Sequence, residues 1–419
     1  MSKPAGNEDD FLFAGDYEVV GPDPALGFDV VAGMGVGMVL IHYHHRHDFR
    51  GGANKGLWGT VSRGAGVPYR WDELDRVVAS AREKFSKVGL YPVGWAHMIP
   101  QHLGETVLDV NPDVVGQWVS EVVVRYLDQV DVFPIFYELN VFDLFFRSTH
   151  GQPYQKEEKR HIIKCLASSI DWVRKRCGDA AVDKLAAATF VELTESSFYW
   201  MSEGKLLELP RGSALLEAPL SPMDLVASAK EFDQDSQQKR YEQDVKRLLA
   251  QLIFWNADDS GAGSTVGNDM YRIYEAGMLH EPSQNPEGFV HSVTCGWDAQ
   301  PQNTYEYLMK KLLPSFDVPS CAEQLERNWE GFNKFLGDPV IPASIRNMFR
   351  GFVLDDVFKC TKQSGITSAA YPHERMEHGV RHGEMPVLIS EMGKQYIEII
   401  NAHLAQRHEQ GVANERSAY

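Results

Sequence analysis

Residues 71–97 read WDELDRVVASAREKFSKVGLYPVGWAH, a helix-like run leading straight into a strand-like one. Leu74, Val77, Val78, Ala81 and Phe85 recur at the three- and four-residue spacing of one helix face. The pattern predicts a helix from Trp71 to Lys87, stopped by Gly89. Leu90 to His97 then reads as an apolar strand. A helix that runs straight into a strand is half of the repeating unit of a parallel α/β protein.

The same unit lies on both sides. Upstream, Phe11-Leu12-Phe13-Ala14 is short and apolar, and Pro24 to Gly33 holds a short helix ending in glycines. Met38 to Tyr43 (MVLIHY) is strand-like. Downstream, Asp113 to Tyr126 carries Val115, Trp118, Val119, Val122 and Val123 at helical spacing. Val132 to Tyr137 (VFPIFY) reads as a buried strand, with Pro134 as an unusual member. His161 to Arg176 reads as a helix and Ala186 to Leu193 as a strand. Unit lengths of about 40 residues fit successive βα units with decorated loops. The expectation is an α/β fold, a (β/α)-barrel.

From Ser221 to Cys360 the pattern is mostly helical, with Phe289 to Thr294 as the one strand. That predicts a helical insertion. Gly365 to Ala370 and Pro386 to Ser390 return to strands, and Tyr396 to Gln410 reads as a final helix. The expected division is 1–220 for the first part of the barrel, 221–360 for the insertion and 361–419 for its last part.

Lys and Arg total 41 against 58 Asp and Glu, a formal charge of -17 over 419 residues. Such an acidic surface repels phosphate backbones, which argues against a nucleic-acid partner. With 43% hydrophobic residues the chain can build a globular core. The start, MSKPAGNEDD, shows no secretory pattern, and no apolar run reaches membrane-spanning length. The five cysteines are scattered and odd in number, which predicts reduced thiols in a cytoplasmic protein.

In a barrel of this kind, chemistry sits at the C-terminal ends of the strands. Glu138 follows VFPIFY, and Glu391 follows PVLIS. Two carboxyl groups are what cleavage of a glycosidic bond requires. One protonates the leaving oxygen, and the other attacks the anomeric carbon or activates water. In the retaining case they stand about 5–5.5 Å apart. Glu192 also ends a strand and competes for either role. A glutamate after a strand is also a common cap or surface charge.

These pieces, in this order, resemble the clan A glycoside hydrolases, closest to the family 1, beta-glucosidase-like type. Leu90 to Leu103 (LYPVGWAHMIPQHL) resembles the family's third strand and loop. The resemblance implies that His97 binds a sugar hydroxyl, while Trp95, by its aromatic face alone, reads as a sugar platform or a packing residue. Val124-Arg125-Tyr126 through Glu138 resembles the approach to strand four and its acid/base. Ala370-Tyr371-Pro372, then Pro386 to Gly393 (PVLISEMG), resembles a strand-six tyrosine and a strand-seven P-x-x-x-(S/T)-E-x-G nucleophile motif. The family implies a TIM (β/α)8-type barrel, a carbohydrate substrate and no cofactor or metal. Three features depart from it. Tyr137 stands where the family has Asn, with Asn140 offset nearby. The helical stretch is long. An eighth strand is not evident.

Other groups carry further readings. Ile41 to Asp48 (IHYHHRHD) gathers His42, His44, His45 and His47 with Arg46. They can bind hydroxyls or an anionic sugar, and His44 and Arg46 join the substrate-binding set on that ground. They can also hold a transition metal, which makes a metal-dependent enzyme the alternative. A sugar-binding barrel without catalysis is the third reading. Trp58, Phe198, Tyr199, Trp200 and Trp297 are possible sugar platforms or core residues. The Gly33-Met34-Gly35-Val36-Gly37 run precedes a strand and lacks the dinucleotide spacing.

Overall fold

The computed structural model describes residues 12–19, 28–33, 35–43, 56–62, 64–94, 98–136, 156–186, 199–202, 205–208, 222–237, 240–256, 271, 274–275, 288–293, 321–346, 349–354, 361–363, 387–389, 398–399, 401–403 and 405–406. The strands are β1 (Leu12–Val19), β2 (Met38–Tyr43), β3 (Lys87–Leu90), β4 (Phe133–Pro134), β5 (Leu185–Ala186), β6 (Tyr199–Ser202), β7 (Lys205–Glu208), β8 (Leu252–Asn256), β9 (Gly288–Val293), β10 (Phe349–Leu354), β11 (Thr361–Gln363) and β12 (Val387–Ile389). The helices are α1 (Phe28–Gly33), α2 (Gly56–Val61), α3 (Asp72–Lys84), α4 (Pro112–Tyr126), α5 (Lys156–Cys177), α6 (Asp179–Val182), α7 (Pro222–Ser236), α8 (Tyr241–Gln251), α9 (Cys321–Gly337) and α10 (Ala343–Arg346).

Six strands form one parallel sheet in the order β3-β2-β1-β10-β9-β8. β4 and β5 pair in parallel as well. A parallel bridge between Gly89 and Val132 ties them to β3, with Leu90 N donating to Val132 O at 3.0 Å. The series β8-β9-β10-β1-β2-β3-β4-β5 is the cyclic order of a (β/α)8, TIM-type barrel. The first and last strands of the eight, β1 and β10, lie side by side, Leu12 opposite Gly351 and Phe13 opposite Phe352. Among the described residues no pairing joins β5 to β8. Helix α8 packs against both.

This count corrects the expected helical insertion. Residues 252–354 supply β8, β9 and β10, three of the eight parallel strands. Only β9 matches the expectation of a strand at Phe289 to Thr294. The strand thought to be missing is present within that stretch. Conversely, β12 does not extend the parallel series. It pairs antiparallel with β11, Ile389 opposite Thr361 and Val387 opposite Gln363. Gly365 to Ala370 lies outside the described residues.

Residues 71–97 also differ in detail. The helix ends at Lys84, and Lys87 to Leu90 is the strand. Gly89 is therefore a strand residue, not a helix stop. A Cβ placed there would run into Leu40 Cδ2 and come within 3.0 Å of Val132 Cγ1. Leu40, Gly89 and Val132 thus share the interior face of three adjacent strands, and only a glycine fits between the other two.

The opposite face of the same strands packs on the helices. Val39 and Ile41 of β2, Val88 and Leu90 of β3, Phe133 of β4 and Leu185 of β5 join one cluster with Leu74, Val77, Trp118, Val122 and Ile163. Met38, Leu40 and His42 are equally buried but lie outside that cluster. Burial on both faces explains why these strands read as continuous apolar runs instead of alternating ones. Each buried Val, Leu or Ile contributes roughly 1.5–3 kcal/mol.

Helix α4 begins where Asn111 accepts a hydrogen bond from Asp113 N at 2.9 Å and Pro112 opens the first turn. It lies close on α5. A Cβ at Gly116 would sit 2.7 Å from the backbone carbonyl carbon and oxygen of Ser168. Helix propensity alone favours Gly116→Ala by about 1 kcal/mol. Contact with backbone outweighs it, because the two helices would have to separate. Gly116→Ala is expected to destabilise by about 1–3 kcal/mol, read as a lower urea midpoint with an unchanged slope.

Charged side chains fasten the outer layer. Arg125 Nε donates to Asp75 Oδ1 at 2.7 Å and its Nη2 to Oδ2 at 2.5 Å, while Tyr126 Oη donates to Oδ1 at 2.8 Å. The Arg125 guanidinium holds the Asp75 carboxyl below its ordinary range. Burial, followed by the Asp75 hydrogen bond, pushes Tyr126 well above the ordinary tyrosine range.

Candidate functional site at the ends of the strands

The C-terminal end of β2 and the segment after β3 form one described wall of the barrel mouth. His42 is 1% exposed. Its ring lies 5.1 Å from that of Tyr91, tilted by 47°. Tyr91 N donates to Ile41 O at 3.1 Å, which continues the β2–β3 ladder by one residue beyond Leu90. The backbone then passes directly over the imidazole. A Cβ at Gly94 would lie 3.1 Å from His42 Nε2 and 3.1 Å from Met98 Sδ.

Helix α2 closes this wall from the loop after β2. Gly56 opens it with φ of 37°, and a Cβ there would sit 2.6 Å from Met98 Cβ. Two residues on, Trp58 is 2% exposed and stacks on Trp118, centroids 5.4 Å apart and planes 2° apart. Trp118 Nε1 donates to Pro92 O at 2.8 Å, so α4 fixes the start of the Pro92-to-Gly94 segment. Trp58, a possible sugar platform by sequence, is therefore a core residue. Its faces are used by protein.

Across from His42, on β1, the register position is held by Glu18. Asp16 stands opposite Leu40 and Ala14 opposite Met38. This places acidic residues beside the β2 strand at its upper end.

The expected catalytic pair, Glu138 and Glu391, lies outside the described residues, as do His97, His44, Arg46, Trp95, Asn140, Glu192, Tyr371 and Tyr137. The flanking structure is described for some. Phe136, two residues before Glu138, is fully buried after β4. Ile389, two residues before Glu391, ends β12 in the antiparallel pair, and β12 lies against α1. Ala186, six residues before Glu192, is fully buried in β5.

Sequence reading found His42 only as one of a histidine run. It missed Tyr91, Gly94 and Met98 as parts of the wall. Gly94 did carry a signal, since an isolated glycine in an apolar strand marks close backbone approach. The approach to His42 could not be seen, because the partner lies on another strand.

Among the described residues no three His, Cys, Asp or Glu side chains gather as a metal ion requires. His102 is exposed, and His161 Nε2 lies 3.1 Å from Val107 O. Cys165 is buried in α5, and burial pushes its thiol up to about 12, so it stays protonated near neutral pH. No helix among the described residues is long and apolar enough to cross a membrane.

No family model matches the sequence, and no curated protein sequence matches it. Solved structures do. The AHE enzyme from Alicyclobacillus herbarius is similar with a TM-score of 0.54 and 11% identity, over 96% of this chain and 99% of that one. The beta-glucosidase from Thermotoga maritima in complex with castanospermine aligns over 94% and 98% of the two chains at 10% identity, with a TM-score of 0.49. A GH10 endoxylanase retrieved from sugarcane soil metagenome aligns over 94% and 98% at 10% identity, with a TM-score of 0.48. At 11% identity the likeness to the Alicyclobacillus protein is one of fold, and it runs over nearly the whole of both chains.

Proposed function

We propose that the chain is a glycoside hydrolase acting by a retaining, two-carboxylate mechanism, with Glu138 as the acid/base. The observation that carries this reading is the rank of β4. It is the fourth of eight parallel strands, and Glu138 follows its buried end at Phe136. The clan A resemblance of the sequence likewise implies a proton donor after strand four. The substrate is a small glycoside or oligosaccharide, and no metal or other cofactor enters the reaction.

For the nucleophile the first assignment is Glu391, from its PVLISEMG motif. The strand count favours a second. β9 is seventh among the eight, and Asp298 follows it five residues after Val293. Either residue would attack the anomeric carbon while Glu138 protonates the leaving oxygen. Water would then be activated by Glu138 for release. His97, Trp95, His44, Arg46, Asn140, Glu192 and Tyr371 are the proposed sugar-binding residues.

The test is hydrolysis of a panel of aryl glycosides and short β-linked oligosaccharides, with the first-formed anomer read by NMR. Glu391→Gln and Asp298→Asn are compared. Loss of about 10³-fold or more in one variant identifies the nucleophile. Equal rates in wild type and Glu391→Gln remove Glu391. No turnover of any glycoside removes the reading.

A further inference from the structure

We propose that the seam between β5 and β8 is an ionic latch, released by local movement of α8 and loosened by salt. The inference concerns closure of the ring of strands, and it stands whether or not the chain cleaves glycosides.

This seam differs from the other joins in the ring. Elsewhere, neighbouring strands meet through backbone pairing. Between β5 and β8 the described contacts run through α8, which packs against both strands. No residue separates α8 from β8, so the place of the helix sets the place of the strand. The start of α8 is fixed to α7. Asp233 accepts from Tyr241 N at 3.1 Å and from Glu242 N at 2.8 Å.

The side chains that tie α8 to the earlier half of the ring are charged. Arg247 of α8 donates from Nη1 to Asp183 Oδ1 at 2.5 Å. Asp183 stands two residues before β5, and Arg247 five residues before β8. One ion pair therefore joins the entries to both strands. Beside it, Asp244 lies 3.5 Å from Arg247 Nη2 and 3.4 Å from Nη2 of Arg174 on α5. Arg240, just ahead of α8, and the Tyr241 hydroxyl both donate to Asp171 of α5, at 2.6 and 2.7 Å.

Two features mark a contact that can release. The inner members are held largely out of water, with the side chains of Arg247 and Asp244 14% and 13% exposed. Arg247 Nε is buried and finds no hydrogen-bond acceptor among the described residues. Incompletely bonded charges of this kind are costly, and apolar side chains would hold α8 at lower cost. The outer members are open to solvent, Arg240 at 47% and Asp171 at 37%, where salt screens them. When the pairs part, water satisfies every one of these groups. Val245 and Leu248 also give α8 a buried apolar face, which returns the helix to its seat after each opening. The opening is local, because the β1–β2 and β1–β10 ladders lie elsewhere in the ring.

The experiment is hydrogen–deuterium exchange of the full chain, read by mass spectrometry. Segments 179–186 and 241–256 report the seam, and segment 38–43 on β2 is the control. Arg247→Met and Arg174→Met are compared with wild type at low salt. Exchange about tenfold faster or more is expected in both seam segments of Arg247→Met, with the control within about twofold. Arg174→Met should show a smaller rise in the same segments. A rise of equal size in the control overturns the latch, since the network would then be a brace for the whole fold. Unchanged seam segments also overturn it. Should Arg247→Met fail to fold, the wild type decides alone. Raising NaCl from about 0.1 M to about 1 M should speed seam exchange at least about threefold and leave the control unchanged. No selective rise overturns the proposal.

Discussion

Glu138→Gln is expected to slow hydrolysis of a glycoside with a poor leaving group by about 10²–10⁴-fold, the range of general acid catalysis. The loss should shrink for a dinitrophenyl glycoside, whose leaving oxygen departs without a proton. The two substrates together separate proton donation from binding. The variant should also lose the alkaline limb of its pH profile. That limb reports deprotonation of the acid, and glutamine has no proton to lose. The sign follows from the chemistry. The acid works protonated, so activity falls as pH rises through its pKa, and removing the group removes that dependence. A neighbouring carboxylate in the site would hold that pKa above the ordinary range for glutamate. A uniform loss across both leaving groups would instead make Glu138 a substrate-binding residue. Wild-type rates on both would remove it from the site.

The largest effect on stability is expected at Trp118. It is 1% exposed. Trp58 stacks on one partner face, and Trp71 is parallel to it at 5.7 Å and 7°. Tyr69 meets its edge at 5.3 Å and 71°. Its Nε1 hydrogen bond to Pro92 O, at 2.8 Å, ties α4 to the end of β3. Trp118→Ala removes all of this and leaves a cavity between α2, α3 and α4. The expected cost is about 3–5 kcal/mol, a large part of the 5–15 kcal/mol that ordinarily holds a domain folded. Trp118→Phe keeps a ring in the stack but leaves Pro92 O without its donor, at about 1–3 kcal/mol. Urea unfolding followed by far-ultraviolet circular dichroism reads both. A shift below about 1 kcal/mol for Trp118→Ala would mean that the cluster does not hold α4 to the barrel.

The β2 strand and helix α4 were legible in the sequence for different reasons. Met38 to Tyr43 is continuously apolar up to His42, as a strand buried on both faces must be. Asp113 to Tyr126 shows a clear helical stripe and is helical from Pro112 to Tyr126. The strands β8 and β10 were not legible. Leu252–Asn256 continues directly from the helical run of α8 with no intervening turn, and an apolar stretch that short does not distinguish helix from strand. Phe349–Leu354 carries Arg350 and Gly351, which weaken any strand pattern. PVLIS, in contrast, is strand-like in sequence and does form a strand. Its antiparallel partner, Thr361–Gln363, could not be read from its own residues.

The order of helix and strand, the apolar faces and the carboxylate after VFPIFY were set by the chain alone, because each depends on side chains close in sequence. Which strands stand next to each other was decided only by tertiary structure. β1 meets β10 more than three hundred residues away, and local periodicity holds no trace of a distant hydrogen-bond partner. The same holds for Gly89 and Gly94. Their composition marks a tight place, but Leu40, Val132 and His42, which make it tight, arrive from neighbouring strands.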